Sequence, residues 1–208
     1  MPTYLPEVFN VESLTDAKRI ILTDEDVGTE VRWARETPYL QNKMLEIFPP
    51  NSMLLDFGCG IGRLAKAWLD HTGGHVLGVD ISVPMRQLAP GYVQNERFAT
   101  CSPEVLTRLV AAGARFDGGV ACWAIQHVLD PAAVIEQLNE AIKTDGRLLV
   151  VNNIRRAVPT DKGWVDDGFD VAEALGRRFE LEHLGKLPPT ASSEAISRFT
   201  YVALYRKH

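Results

Sequence analysis

A chain of 208 residues with 46% apolar and 24% charged side chains has the composition of a folded globular protein, long enough for one sizeable α/β domain. Its formal net charge of −5 argues against a general nucleic-acid binder, whose phosphate contacts require a basic surface. Three scattered cysteines, Cys59, Cys101 and Cys122, form no C-x-x-C pair, which points to a reducing compartment and against a zinc site.

The N-terminal stretch MPTYLPEVFNVESLTDAKR lacks the basic start and continuous apolar core of a signal peptide. No run approaches the roughly 18 uncharged apolar residues of a membrane span. The expected location is the cytoplasm, with neither membrane nor nucleic acid as partner.

Residues 1–50 read as a helical segment ahead of a domain over 51–208. Ser13-Leu-Thr-Asp16 has the form of a capping box opening a short helix through Ile21. A second helix is expected over Gly28 to Glu36. Thr37-Pro38 then ends it and starts a third, with Thr37 as N-cap and Pro38 at the first helical position. That helix puts Leu40, Met44, Leu45 and Phe48 on one side before Pro49-Pro50 stops it.

From Ser52 short apolar runs alternate with helical patterns. Strands are expected over Met53–Phe57, His75–Asp80, Glu96–Thr100, Phe116–Trp123 and Arg147–Asn153. Helices are expected near Arg63–Asp70, Val83–Ala89, Pro103–Ala112 and Pro131–Ile142. Such alternation implies right-handed crossovers and a mostly parallel sheet covered on both faces. The end of the chain breaks the rhythm: a polar loop over 154–168, a helix around Phe169–Arg178, then runs Glu180–Gly185 and Phe199–Tyr205. Only a turn and loop, Leu187–Arg198, separate these runs, so they are expected to pair antiparallel.

The stretch NSMLLDFGCGIGRLAKAW, residues 51–68, carries the most information. An apolar run ends at Asp56, glycines follow at 58, 60 and 62, and helix-forming residues begin at once. Glycines let a ligand approach the backbone without a Cβ in the way, and the following helix offers unpaired N–H groups. Asp80, 24 residues after Asp56, ends the next strand, where a carboxylate can accept both hydroxyls of a ribose. A dinucleotide fingerprint would require glycine at position 63, which is Arg63, and no Gly-Lys-Ser/Thr of a phosphate loop follows.

The ordered segments resemble the class I S-adenosylmethionine-dependent methyltransferases. LLDFGCGIGRLAKAW looks like their first motif, an acidic residue-x-G-x-G-x-G after a strand, and VLGVDIS looks like the second. FDGGVACWAIQHVLDP is similar to their fourth-strand segment, and LNEAIKTDGRLLVVNN to the helix, turn and fifth strand that follow. The resemblance covers residues 50 to 206. It implies a Rossmann-like, doubly wound sheet of seven strands in the order 3-2-1-4-5-7-6, the last strand antiparallel. It also implies S-adenosylmethionine as methyl donor and S-adenosylhomocysteine as product.

On this likeness Asp56 with Gly58, Cys59, Gly60 and Gly62 would hold the methionine part of the cofactor. Asp80 would hold the ribose, and Ile81 and Met85 would flank the adenine. Members often place an acid after the third strand for the adenine amino group. This chain reads FATCSPE there, which leaves Thr100, Cys101 or Ser102 to substitute. Cys122 and Trp123 are candidates to wall the methionine pocket, with core packing the alternative for Trp123.

A sulfonium is an activated methyl donor, so alignment and water exclusion can supply much of the catalysis. A base is needed only when the acceptor must lose a proton. His127, just past the fourth strand, is the candidate base, against the alternative that it packs in its loop or hydrogen-bonds to backbone there. Gln126, Arg155 and Arg156 are candidate acceptor contacts, the arginines as a clamp for carboxylate or phosphate or as plain solvated loop residues. The N-terminal segment reads as a lid, with Trp33 and Tyr39 touching ligand or only anchoring it.

Motifs for nucleic-acid base amines (N/D/S-P-P-Y/F/W), for cytosine carbon 5 (Pro-Cys) and for protein arginine are missing, and no metal-binding acidic cluster is evident. A small-molecule acceptor is the remaining class. Two rival readings stand beside it: a non-catalytic protein that keeps the cofactor pocket as scaffold or sensor, and an NAD-dependent oxidoreductase. The Y-x-x-x-K string from Tyr39 to Lys43 would suit the second, but it precedes the first strand.

Overall fold

The computed structural model describes residues 2–22 and 28–208. Seven strands form one sheet in the order β3-β2-β1-β4-β5-β9-β8. They are β1 (Met53–Phe57), β2 (His75–Val79), β3 (Phe98–Cys101), β4 (Phe116–Cys122), β5 (Ile142–Asn153), β8 (Phe179–Gly185) and β9 (Thr200–Lys207). The first five run parallel, while β9 lies antiparallel to both β5 and β8. This is the expected order, with a small hairpin, β6 (Val158–Thr160) and β7 (Gly163–Val165), intervening in the numbering.

Strand β1 shows why the sheet must be covered on both faces. Leu54 packs with Leu40 and Met44 of α2 (Thr29–Ile47), with Phe48 just after it, and with Leu64 and Trp68 of α3 (Arg63–Leu69). Its neighbour Leu55 faces the other way, toward Leu106 of α5 (Pro103–Ala111), Ile135 and Leu138 of α6 (Pro131–Ala141) and Leu175 of α7 (Val171–Gly176). Successive side chains of a strand point to opposite faces, so a run apolar at every position needs helices on both sides. Because β1 sits between β2 and β4, the crossovers diverge from it in opposite directions, opening a crevice at the carboxyl ends of the strands.

Helix α1 (Leu14–Leu22) begins as expected: Ser13 Oγ accepts from the Asp16 N–H at 3.2 Å and donates to Asp16 Oδ2 at 2.7 Å. The break expected at Thr37-Pro38 does not occur, and α2 runs through Pro38. An interior proline costs roughly 3 kcal/mol. Here Arg32, Glu36, Leu40 and Met44, all buried, form one continuous face across it, and the tertiary contacts outweigh the local penalty. The second half of α2 is therefore part of the core rather than of a separable cap.

Similar overrides extend α4 (Val83–Val93) past Pro90 and start β5 at Ile142 rather than Arg147, the chain bending at Asp145 with φ of 63°. The supposed polar loop 154–168 contains the β6–β7 hairpin, and the supposed loop Leu187–Arg198 gives way to α8 (Glu194–Phe199), capped by Ser193 Oγ on the Ile196 N–H. Among the described residues, no helix is long and apolar enough to cross a membrane.

Candidate active site

The glycine loop joins β1 to α3, and Gly58, Gly60 and Gly62 all lie at positive φ, between 54° and 83°. Two of the three are required by neighbours rather than by a ligand. A Cβ on Gly58 would stand 2.3 Å from that of Ala124, and one on Gly62 would stand 2.5 Å from Val93 Cγ2. The loop can thus press against the end of β4 on one side and against α4 on the other. The N–H groups of Gly58 and Cys59 both donate to the Val79 carbonyl, at 2.7 and 3.0 Å, fastening the loop to the end of β2.

Asp80 follows at that strand end. Its Oδ2 accepts from the Gly60 N–H at 2.8 Å and its Oδ1 from the Ser82 N–H at 2.9 Å. Both carboxylate oxygens are fixed in direction, and each keeps a lone pair for a further donor. Burial raises its pKa above the ordinary value, against those two backbone hydrogen bonds. A ligand that donates two hydroxyls would relieve this desolvated carboxylate.

Asp56 lies beneath the loop. Burial pushes its carboxyl up to about 7 against the nearby Arg63 guanidinium, and its Oδ2 has no partner. Arg63, the residue that displaced a glycine from the fingerprint position, is 4% exposed and donates to Glu36 Oε1 at 2.9 Å and to Thr37 Oγ1 at 3.2 Å. Glu36, fully buried, also accepts from Arg32 Nη2 at 3.0 Å and from the Trp123 indole at 2.9 Å. One carboxylate on α2 therefore ties the helix after the glycine loop to the residue that follows β4. Trp123 itself holds φ of 57°, a left-handed conformation that costs a non-glycine residue roughly 1–2 kcal/mol.

Two cavities meet at this point. The first, of about 500 Å³, opens beside Gly58, Gly60, Asp80, Ile81, Met85, Cys122, Trp123 and His127. Tyr4, Phe9, Pro103, Glu104 and Asp130 complete much of its rim. The second, of about 440 Å³, is walled by Val8, Phe9, Ile20, Trp123, His127, Trp164 and Ile196, with Arg32, Gln126, Asn153 and Ala157. Phe9, Ile20, Trp123 and His127 belong to both walls. Each volume lies in the range of small-molecule sites.

The protonation of His127 follows from its partners. The Asn153 N–H donates to Gln126 Oε1 at 2.6 Å, which turns the Gln126 amide nitrogen toward His127 Nε2 at 3.0 Å. His127 Nδ1 meets the Ala157 carbonyl at 2.6 Å, so Nδ1 carries the proton and Nε2 accepts from Gln126. Both ring nitrogens are committed, and a second proton on the ring would face the Gln126 amide hydrogens. Burial lowers the His127 pKa further. The ring also packs on Phe9 and Trp164, with centroids 5.5 and 5.3 Å away.

Several expected site residues serve the scaffold instead. Arg156 is buried and donates to Asp167, to the Ile125 carbonyl and to the Val128 carbonyl, so it staples the loop after β4 rather than clamping an acceptor. Arg155 is exposed and lies outside both walls. Trp33 packs edge-on to Tyr92 and beneath Arg63, and Tyr39, on α2, is partly buried against the core. The Thr100 hydroxyl donates to the Arg86 carbonyl, and the Cys101 carbonyl accepts the Asp80 N–H; neither lines the cavity. Cys59 is buried with its thiol on the Gly60 carbonyl.

Other wall residues had no signal as sequence. Glu104 supplies an acid on the rim, in the first turn of α5 and three residues past the end of β3. Tyr4, Phe9, Arg32, Asn153 and Trp164 converge from segments far apart in the chain. Residues 3–5 are stitched to the β6–β7 hairpin through Leu5 N–H to Pro159 O and Asp161 N–H to Thr3 O, both at 3.0 Å. Asn10 meets Ser82 beside Asp80 at 3.1 Å, so the segment between spans the cavities as a strap. Among the described residues, no group of three His, Cys, Asp or Glu side chains is placed to hold a metal.

Comparison with known proteins agrees with this geometry. Residues 55–150 match a family model described as a methyltransferase domain. Phosphoethanolamine N-methyltransferase 2 of Caenorhabditis elegans is 30% identical over 105 residues, covering 50% of this chain and 24% of that protein. A ubiquinone biosynthesis O-methyltransferase of Methylobacterium is 31% identical over 94 residues, covering 45% and 37% respectively. The chain thus spans well under half the length of either relative in these matches. The structure of magnesium protoporphyrin IX methyltransferase from Synechocystis with bound SAH superposes with a TM-score of 0.66 over 93% of this chain and 94% of that one, at 16% identity, a likeness of fold.

Proposed function

We propose that the chain is a class I S-adenosylmethionine-dependent methyltransferase that transfers a methyl group from S-adenosylmethionine to an O, N or C atom of a small molecule, a reading supported by the methyltransferase-domain match over residues 55–150 and the likeness of fold. The observation that carries this reading is Asp80: a desolvated carboxylate, aimed by Gly60 and Ser82, on the wall of a cavity of nucleoside size. Its free lone pairs suit the two ribose hydroxyls. Ile81 and Met85 flank the adenine, Glu104 accepts from its amino group, and Gly58 and Gly60 leave room for the methionine part. Asp56 acts from below, through the loop and Arg63, rather than by touching the donor.

The second cavity receives the acceptor, and the shared residues Phe9, Trp123 and His127 stand between the two ligands. When bound, the donor supplies an activated methyl on a sulfonium. The chain's contribution is to aim the acceptor along the in-line path and to keep water out. His127 serves as an uncharged wall, held neutral by Gln126 and Ala157. The strap of residues 3–10 and α1 act as the lid, a role carried by Tyr4, Phe9 and Ile20 rather than by Trp33 or Tyr39. A reducing, cytoplasmic setting suits the free thiol of Cys122 in the wall.

Calorimetry with S-adenosylhomocysteine and with NAD, on the unaltered protein and on Asp80→Ala, tests the reading. S-adenosylhomocysteine binds and the substitution weakens it by about a hundredfold, the worth of two charge-assisted hydrogen bonds. Binding of NAD without S-adenosylhomocysteine would overturn the assignment.

A further inference from the structure

Two asparagines stand side by side at the end of β5 and differ in what they do. Asn152 is fully buried: its Oδ1 accepts from the Gln126 N–H at 3.0 Å and its Nδ2 donates to the Asn153 carbonyl at 3.0 Å. That side chain serves the scaffold. Asn153 commits its backbone in the same way, its N–H to Gln126 Oε1 and its carbonyl to Asn152. Its carboxamide, by contrast, has no hydrogen-bond partner among the described residues.

Successive residues of a strand face opposite sides, so Asn153 shares a face with Leu149 and Val151, the side that packs on α2 and α3. There it joins Trp123 and Ile196 in the wall of the second cavity. Neighbouring polar groups of that wall are engaged. Gln126 receives the Asn153 N–H and meets His127 Nε2, His127 Nδ1 donates to the Ala157 carbonyl, and Arg32 is buried and ion-paired with Glu36. Asn153 instead carries a carbonyl oxygen and an NH2 group side by side, both open to a ligand.

A ligand that closes over Asn153 removes its water, and an amide left unpaired there is costly. A ligand with a hydrogen-bond donor beside an acceptor satisfies both atoms at once, as the edge of adenine does for asparagine. Phe9, Trp123 and Trp164 supply ring faces for a flat body behind that edge.

We propose that Asn153 is the specificity-determining residue of the methyl-acceptor site. It takes a flat heteroaromatic ring by an edge that carries a hydrogen-bond donor beside an acceptor, of which a lactam is the simplest case. The proposal rests on the reading that the second cavity receives the methyl acceptor. Asn153 Oδ1 accepts from the ring N–H and Nδ2 donates to the ring carbonyl, which fixes the ring within its own plane. Because the carboxamide supports no other residue, replacing it costs recognition and leaves the fold intact.

The test is calorimetry on protein saturated with S-adenosylhomocysteine. One probe is 2-quinolinone, whose lactam presents N–H and C=O on one edge, and the other is 1-methyl-2-quinolinone, which lacks the N–H. 2-Quinolinone binds at least about tenfold more tightly, the discrimination of one paired amide contact. Asn153→Leu keeps the side-chain size and loses both hydrogen-bonding groups. It lowers 2-quinolinone affinity by about tenfold and brings the two probes within about threefold of each other. S-adenosylhomocysteine affinity holds, and the melting temperature stays within about 2 °C.

Equal binding of the two probes, no binding of 2-quinolinone, or a preference that survives Asn153→Leu would overturn the proposal and leave methyl transfer standing. Failure of S-adenosylhomocysteine itself to bind would remove the reading on which it rests. Should Asn153→Leu not fold, Asn153→Ala decides on the same readings.

Discussion

The cavity beside Asp80, proposed for the donor, and the cavity beside Trp164, proposed for the acceptor, share a wall but are built in different ways. The donor side comes largely from two short stretches, Phe57–Gly60 and Val79–Met85, in which backbone conformation and local hydrogen bonds set the geometry. The acceptor side draws on Val8 and Phe9, Ile20, Arg32, the end of β4, Asn153, Trp164 and Ile196, held together by long-range packing. A donor common to many reactions can be met by a fixed local device. An acceptor peculiar to one reaction is met by side chains recruited from wherever the fold brings them.

That contrast can be broken at the hub that joins the halves. Glu36→Ala leaves Arg32 and Arg63 without their shared carboxylate and frees the Trp123 indole, and losing one partner of a buried ionic set costs about 3–5 kcal/mol. Urea unfolding should show that loss, with both cavities impaired together. Gly58→Ala sets a Cβ against Ala124 at a positive φ, which should destabilise the fold by about 1–3 kcal/mol and disturb donor binding more than acceptor binding.

Trp164→Ala sharpens the comparison from the other side. The indole is 58% exposed, so stability should change by less than about 0.5 kcal/mol, while acceptor affinity falls and S-adenosylhomocysteine affinity holds. The smallest effect belongs to His127. Its folded pKa is lowered below 6.5 by burial, so as pH falls below the unfolded value the unfolded chain takes up a proton that the folded chain resists. Stability therefore declines below about pH 6.5, and His127→Phe should flatten that decline. The same variant should keep most of its turnover if His127 is a wall, and lose it if His127 is a base.

How much was legible beforehand follows the same division. The strands, the glycine loop and Asp80 were readable from local patterns, short apolar runs, clustered glycines and an acid at a strand end, whereas the sheet order followed from the family resemblance. Pro38 misled because local propensity opposes a helix there, while the buried face from Arg32 to Met44 favours it more strongly. Arg156 misled because a charged residue in a polar stretch looks solvated until Asp167 and two carbonyls close on it. His127 was found, and of its two readings the hydrogen bond to backbone is the one the structure shows; the partners that fix its tautomer, Gln126 held by Asn153 and the Ala157 carbonyl, come together only in the fold. Glu104 was overlooked by one helical turn. No periodicity announces that Phe9, Arg32 and Trp164 share a wall.

The most direct test of the account is a crystal structure of the protein grown with S-adenosylhomocysteine. The account predicts the ribose hydroxyls on Asp80 and the sulfur directed toward the adjoining cavity walled by Trp123 and Trp164. Density for S-adenosylhomocysteine away from Asp80, or in the cavity beside Arg32, would contradict it.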